Sequence, residues 1–136
     1  MKSIYGRRGQ ESLIKVSQSK KTGKVYVHKA SFLDALTFIA LCPDGSFVAS
    51  DVPVARLSGT EGTARAKSYI IVGWLAEEGL LTKMGERYAP KRDARGHVDV
   101  AANIVEAVKA FQALPDQYGR DFPGYVPGVG YTLEKS

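Results

Sequence analysis

A chain of 136 residues, 44% hydrophobic and 24% charged, has the length and balance of one globular domain with extensions, which excludes a disordered tail. No apolar run approaches the ~20 residues that span a bilayer, and the opening Met1-Lys2-Ser3-Ile4-Tyr5-Gly6-Arg7-Arg8 lacks the apolar core of a signal peptide. A lone cysteine, Cys42, excludes an internal disulfide, and with only two histidines it forms no metal-ligand spacing. A cytoplasmic protein without structural metal or cofactor is therefore expected.

The net charge of +5 is unevenly placed. Residues 1–29 hold Lys2, Arg7, Arg8, Lys15, Lys20, Lys21, Lys24 and Lys29 against Glu11 alone, a net +7. The stretches 30–60, 61–95 and 96–136 carry −2, +2 and −2. Attraction to phosphates depends on local positive density, so the basic end points toward nucleic acid more than the total does. A solvated basic terminus is the plainer alternative.

In chain order, residues 12–29 read as a β-hairpin behind a basic N-terminal arm. Ser12–Ser17 and Lys24–His28 are β-rich, and Lys20-Lys21-Thr22-Gly23 supplies the turn. Ser31 opens a helix, with Asp34 as the acidic partner of a capping box. Phe32, Leu33, Leu36, Phe38, Ile39 and Leu41 follow until Cys42-Pro43-Asp44-Gly45 stops it. Phe47-Val48-Ala49 is a short extended piece. Ser50 or Asp51 then caps a short second helix with Pro53 in its first turn, and Ser58–Gly62 breaks it. A third helix runs from about Thr63 to Glu78 and ends at Gly79. Leu80–Lys83 and Glu86–Ala89 make two short strands around Met84-Gly85, closed by Pro90.

Helix, short strand, short helix, glycine-containing turn, long helix and hairpin is the winged-helix order. Gly62-Thr63-Ala64-Arg65, continuing through Trp74-Leu75-Ala76-Glu77-Glu78-Gly79-Leu80-Leu81-Thr82-Lys83, resembles the third helix and wing of winged helix-turn-helix regulators. The resemblance covers about 60 of the 136 residues and names a superfamily. It implies an α+β fold: a winged helix-turn-helix domain over 30–90, preceded by the basic arm and hairpin of 1–29. A basic linker, a helix and a Gly/Pro/Tyr-rich tail over 91–136 complete it.

Within the third helix Ser68, Ile71, Val72 and Leu75 share one face at three-and-four spacing. Arg65, Lys67 and Tyr69 then face away from the core, with small Ala64 and Ala66 between them, and Thr63 joins them as a candidate DNA contact. A major groove ~12 Å wide admits such a helix; arginine can pair with guanine and lysine with phosphate. Ile70 and Trp74 lie off the core face, so this half of the helix needs cover on a second side. Lys83 and Arg87 on the wing, with Lys91 and Arg92 after it, suit phosphates, as do Lys20, Lys21 and Lys24 in the hairpin turn. A solvated basic linker is the alternative for 91–95.

Asp99 caps a further helix from Val100 to Ala113, where Ile104, Ala107, Phe111 and Leu114 form an apolar seam. Two outcomes fit: packing on its own domain, or pairing with a copy. Many small prokaryotic regulators of this superfamily are dimers, so the resemblance favours a homodimer held by those four residues. No catalytic constellation emerges. Cys42 reads as an inert thiol, and His28 and His97 lack partners of defined spacing. The expected function is sequence-specific binding of double-stranded DNA by a small transcriptional regulator. A plasmid or phage partition or replication protein, and a winged helix that binds proteins, are the alternatives.

Overall fold

The computed structural model describes residues 2–18, 21–22, 25–49, 61–116, 125–126 and 130–131; for 2–3, 18, 25, 61–66, 125–126 and 130–131 it describes the backbone alone. The fold is mixed α+β. Strands β1 (Lys2–Arg8), β2 (Ser12–Gln18) and β3 (Val25–Ser31) form an antiparallel sheet in that order. The structure thus adds a strand where the sequence suggested only a basic arm, with Gly9 at φ +60° turning β1 into β2. Side chains alternate across the sheet, so Leu13 and Ala30 face the main core while Ile14 and Val16, also buried, lie on the other face.

Helix α1 (Phe32–Leu41) starts where β3 stops. Ser31 sits at its N-cap as expected, but its side chain makes no capping bond. It is still the last residue of a strand, and the exposed donor of Phe32 is met instead by the Glu11 carbonyl at 2.8 Å. The short helix expected after Ser50 lies outside the described residues.

Helix α2 (Glu61–Glu77) stops as its sequence requires. Gly79, at φ +78°, donates to the Ala76 carbonyl at 3.2 Å, and Leu80 donates to Leu75 at 2.8 Å. Those two bonds form the Schellman arrangement that a glycine one position past the C-cap residue Glu78 permits. Beyond it, β5 (Leu81–Met84) and β6 (Arg87–Pro90) make a hairpin around Gly85-Glu86. Strand β4 (Phe47–Val48) pairs with β6, giving a second sheet in the order β4-β6-β5. Phe47 lies edge-on to Phe38 of α1 at 5.8 Å and tilted against Tyr88 at 6.2 Å, which anchors the hairpin to the body.

Helix α3 (Val100–Ala113) begins at Asp99, whose carboxylate accepts from the Ala102 amide at 3.0 Å. Within the tail, β7 (Tyr125–Val126) and β8 (Gly130–Tyr131) pair as a small ribbon; Tyr118 and Phe122 lie outside the described residues.

One core joins these parts. Ser68, Ile71, Val72 and Leu75 are buried as their spacing predicts, and so are Ile70 and Trp74. The second cover comes from within the chain: α2 packs on β2, β3 and β5, while α3 packs on α1 and β1. Phe111 stacks on Phe32 with centroids 4.0 Å apart, and both rings meet Trp74 edge-on. Ala107 and Phe111 are fully buried there, with Ile104 and Leu114 packed against the same cluster. The seam expected to hold a dimer therefore serves this chain's own core, because an apolar stripe is the same whether it meets its own subunit or another.

Gly73, inside α2, has a long-range reason. A Cβ placed there would lie 2.5 Å from the Tyr5 hydroxyl oxygen and 3.7 Å from its ring carbon Cζ. In a helix interior Gly costs about 1 kcal/mol relative to Ala. Gly73→Ala alone should destabilise by about 1 kcal/mol, since the clash outweighs the helical gain. In a Tyr5→Phe background the same change should stabilise by about 0.5–1 kcal/mol, because only the ordinary 3.7 Å contact remains. Urea denaturation of the four proteins checks this; additive changes would contradict it.

Candidate nucleic-acid interface

The solvent side of α2 and the β5–β6 hairpin face a shared open groove of about 520 Å³. It is lined by Tyr69 of α2, 52% exposed, by Lys83, Gly85, Glu86 and Tyr88 of the hairpin, and by Val48 and Ala49. The hairpin reaches this position because β6 is zipped to β4. Its turn stays tight because Gly85, at φ +64°, takes a conformation other residues avoid. Met84 beside that turn is 51% exposed.

The expected phosphate-binding residues divide into two sets. Lys83 is exposed and makes no hydrogen bond or ion pair among the described residues, and Lys67 is half-buried on α2. Others hold the fold. Arg87 donates from Nε to Ser46 Oγ at 3.0 Å and from Nη2 to the Ser46 carbonyl at 2.9 Å. Arg92 donates to the carbonyls of Asp44 at 2.7 Å and Gly96 at 2.8 Å, and pairs with the Asp44 carboxylate at 3.4 Å. Lys91 meets both carboxylate oxygens of Glu106, at 2.8 and 3.0 Å. These cations fasten the α1–β4 loop and α3 around the hairpin. Lys21 is exposed at the β2–β3 turn; Lys20 and Lys24, and the side chains of Thr63 and Arg65, lie outside the described set.

Titration behaviour around the site follows burial. The Tyr5 phenol is pushed up to about 12 by burial, with Glu77 and Tyr88 adding to the effect, so it remains a neutral hydroxyl. Burial also pushes the Cys42 thiol up to about 12, which leaves little thiolate to act as nucleophile. The buried Trp74 indole N–H meets no acceptor at full hydrogen-bond geometry, and only a weak hydrogen bond toward Glu78 partly offsets the upward shift of that carboxyl. Among the described residues no group of three or more His, Cys, Asp or Glu side chains is placed to hold a metal ion, and no helix is long and apolar enough to cross a membrane.

Glu78 gives a pH prediction. Burial, then neighbouring Glu77, raises its carboxyl above the ordinary value of 4.5, and it also follows the negative end of α2. A raised folded value means the group's contribution is complete below the ordinary value and is lost as pH rises through the folded one. Glu78→Gln should therefore match the parent in acid and exceed its stability increasingly as pH rises above the ordinary value of 4.5. Urea midpoints across pH 4–7 measure the difference; a constant offset would contradict it.

Two contacts escaped the sequence reading. Arg7 on β1 donates from Nε to the Leu114 carbonyl at the end of α3, at 3.0 Å, and from Nη1 to Asp116 at 3.2 Å. Its own amide meets the Pro115 carbonyl at 3.0 Å. The second is the approach of Tyr5 to Gly73. Neither leaves a local signal, because each joins residues far apart in the chain. Compared with family models, curated proteins and solved structures, the chain matches none.

Proposed function

We propose that this chain is a DNA-binding protein of the winged-helix kind, a small transcriptional regulator that reads the major groove of duplex DNA with α2 and flanks it with the β5–β6 hairpin as a wing. The observation that carries this reading is the β4–β6 pairing, which holds the hairpin beside the solvent side of α2. The order α1, β4, α2, β5, β6 supports it, as does the exposure of Tyr69 and Lys83, which line one groove. A helix fits the ~12 Å major groove, where its early residues Thr63, Arg65 and Lys67 come nearest the bases and phosphates. The basic residues of 1–29 add non-specific attraction.

A second reading is favoured by one observation. Arg87, Arg92 and Lys91 are engaged within the chain, and Glu86 lines the groove, so a protein segment could dock there in place of DNA. Selection of bound duplexes from a randomised pool, followed by hydroxyl-radical footprinting, separates the two. Enrichment of one sequence with a matching protected stretch is expected. A pool that stays random and unprotected would contradict the DNA reading.

A further inference from the structure

The outer end of the N-terminal sheet carries a surface that the groove around α2 does not use. On the face that Ala30 turns to the core, the next two residues of β3, His28 and Tyr26, are exposed, Tyr26 by 40%. Their rings lie within 13° of parallel with centroids 6.4 Å apart. That separation matches two residues of strand rise, so the backbone sets the ring spacing. In the neighbouring strand the half-buried Lys15 stands directly across from His28, on the same face, while Lys29 alternates to the opposite face of β3. The segment 1–29 holds a net +7.

Two near-parallel rings stand exposed on an edge strand, and a cation, Lys15, stands beside them in a segment of high positive charge. Both features are met by a ligand that offers flat π-faces and negative charge together. Duplex DNA offers the charge but keeps its bases stacked on one another. An unpaired strand offers both, with bases for the rings and phosphates for the lysines. We infer that the Tyr26–His28 face of β3 binds single-stranded nucleic acid, separately from whatever α2 contacts.

The test uses the full chain and a fluorescein-labelled oligothymidylate of about 20 nucleotides, followed by anisotropy. Tyr26→Thr with His28→Thr removes both rings while keeping strand propensity. That pair should weaken oligothymidylate binding at least about 20-fold. Tyr26→Phe with His28→Phe keeps the rings and should stay within about twofold of the parent. Duplex affinity and melting temperature should be unchanged in both, because the side chains are exposed. Four results would overturn the inference: no binding by the parent, equal binding by the threonine pair, equal loss of duplex and single-strand binding, or competition by polyglutamate as strong as by unlabelled oligothymidylate. Failure of duplex binding alone would leave it standing and would count against the reading of α2.

Discussion

Replacing Phe111 with aspartate is expected to cost at least about 4 kcal/mol and so to leave the chain largely unfolded. Truncating a buried Phe costs about 3–5 kcal/mol by itself, through lost transfer energy and the cavity left behind. Here the ring is stacked on Phe32 at 4.0 Å and set edge-on to Trp74, so two further aromatic side chains lose a partner with it. The new carboxylate would also be buried in the apolar cluster around Phe32 and Trp74, where a charge is costly to hold. Thermal unfolding followed by circular dichroism reads the effect, at roughly 3–5 °C per kcal/mol for a chain of this length. A variant that keeps its melting temperature while a dimeric parent becomes monomeric would return the α3 seam to an interface.

The second large effect falls on the start of α2. Arg65→Ala is expected to weaken binding to a selected duplex by roughly 1–3 kcal/mol and to relax the preference at one base pair. Lys67→Ala should weaken all duplexes alike, by a smaller factor, because a lysine at a phosphate carries no sequence information. Binding isotherms on the selected site and on a scrambled one distinguish the two changes. Equal binding by the parent and the double variant on both duplexes would remove α2 from the interface.

Local rules located the elements well. The three-and-four spacing and Asp99 mark α3 from Val100 to Ala113, and Gly79 marks the end of α2 to within one residue. The β5–β6 hairpin lies where Gly85 permits a tight turn. What stayed hidden depends on the partner. Ile4 and Tyr5 are too few to announce β1 among Lys2, Gly6, Arg7 and Arg8, because that strand exists through its pairing with β2. Ser31 and Asp34 have the spacing of a capping box, yet β3 runs on into α1 and the sheet meets the first amide. The apolar faces of α2 and α3 foretold cover on several sides but not whose residues would give it. At the candidate site, charge alone could not separate Lys83, which faces solvent, from Arg87 and Arg92, which hold the α1–β4 loop.

The central claim, duplex binding driven by phosphates, is tested most directly by the salt dependence of affinity. If Lys21, Arg65, Lys67 and Lys83 each neutralise one phosphate, the dissociation constant of the parent chain for its selected duplex should rise about 100-fold between roughly 50 and 200 mM salt. A dissociation constant that stays the same across that range, or no binding at the lowest salt, would contradict the account.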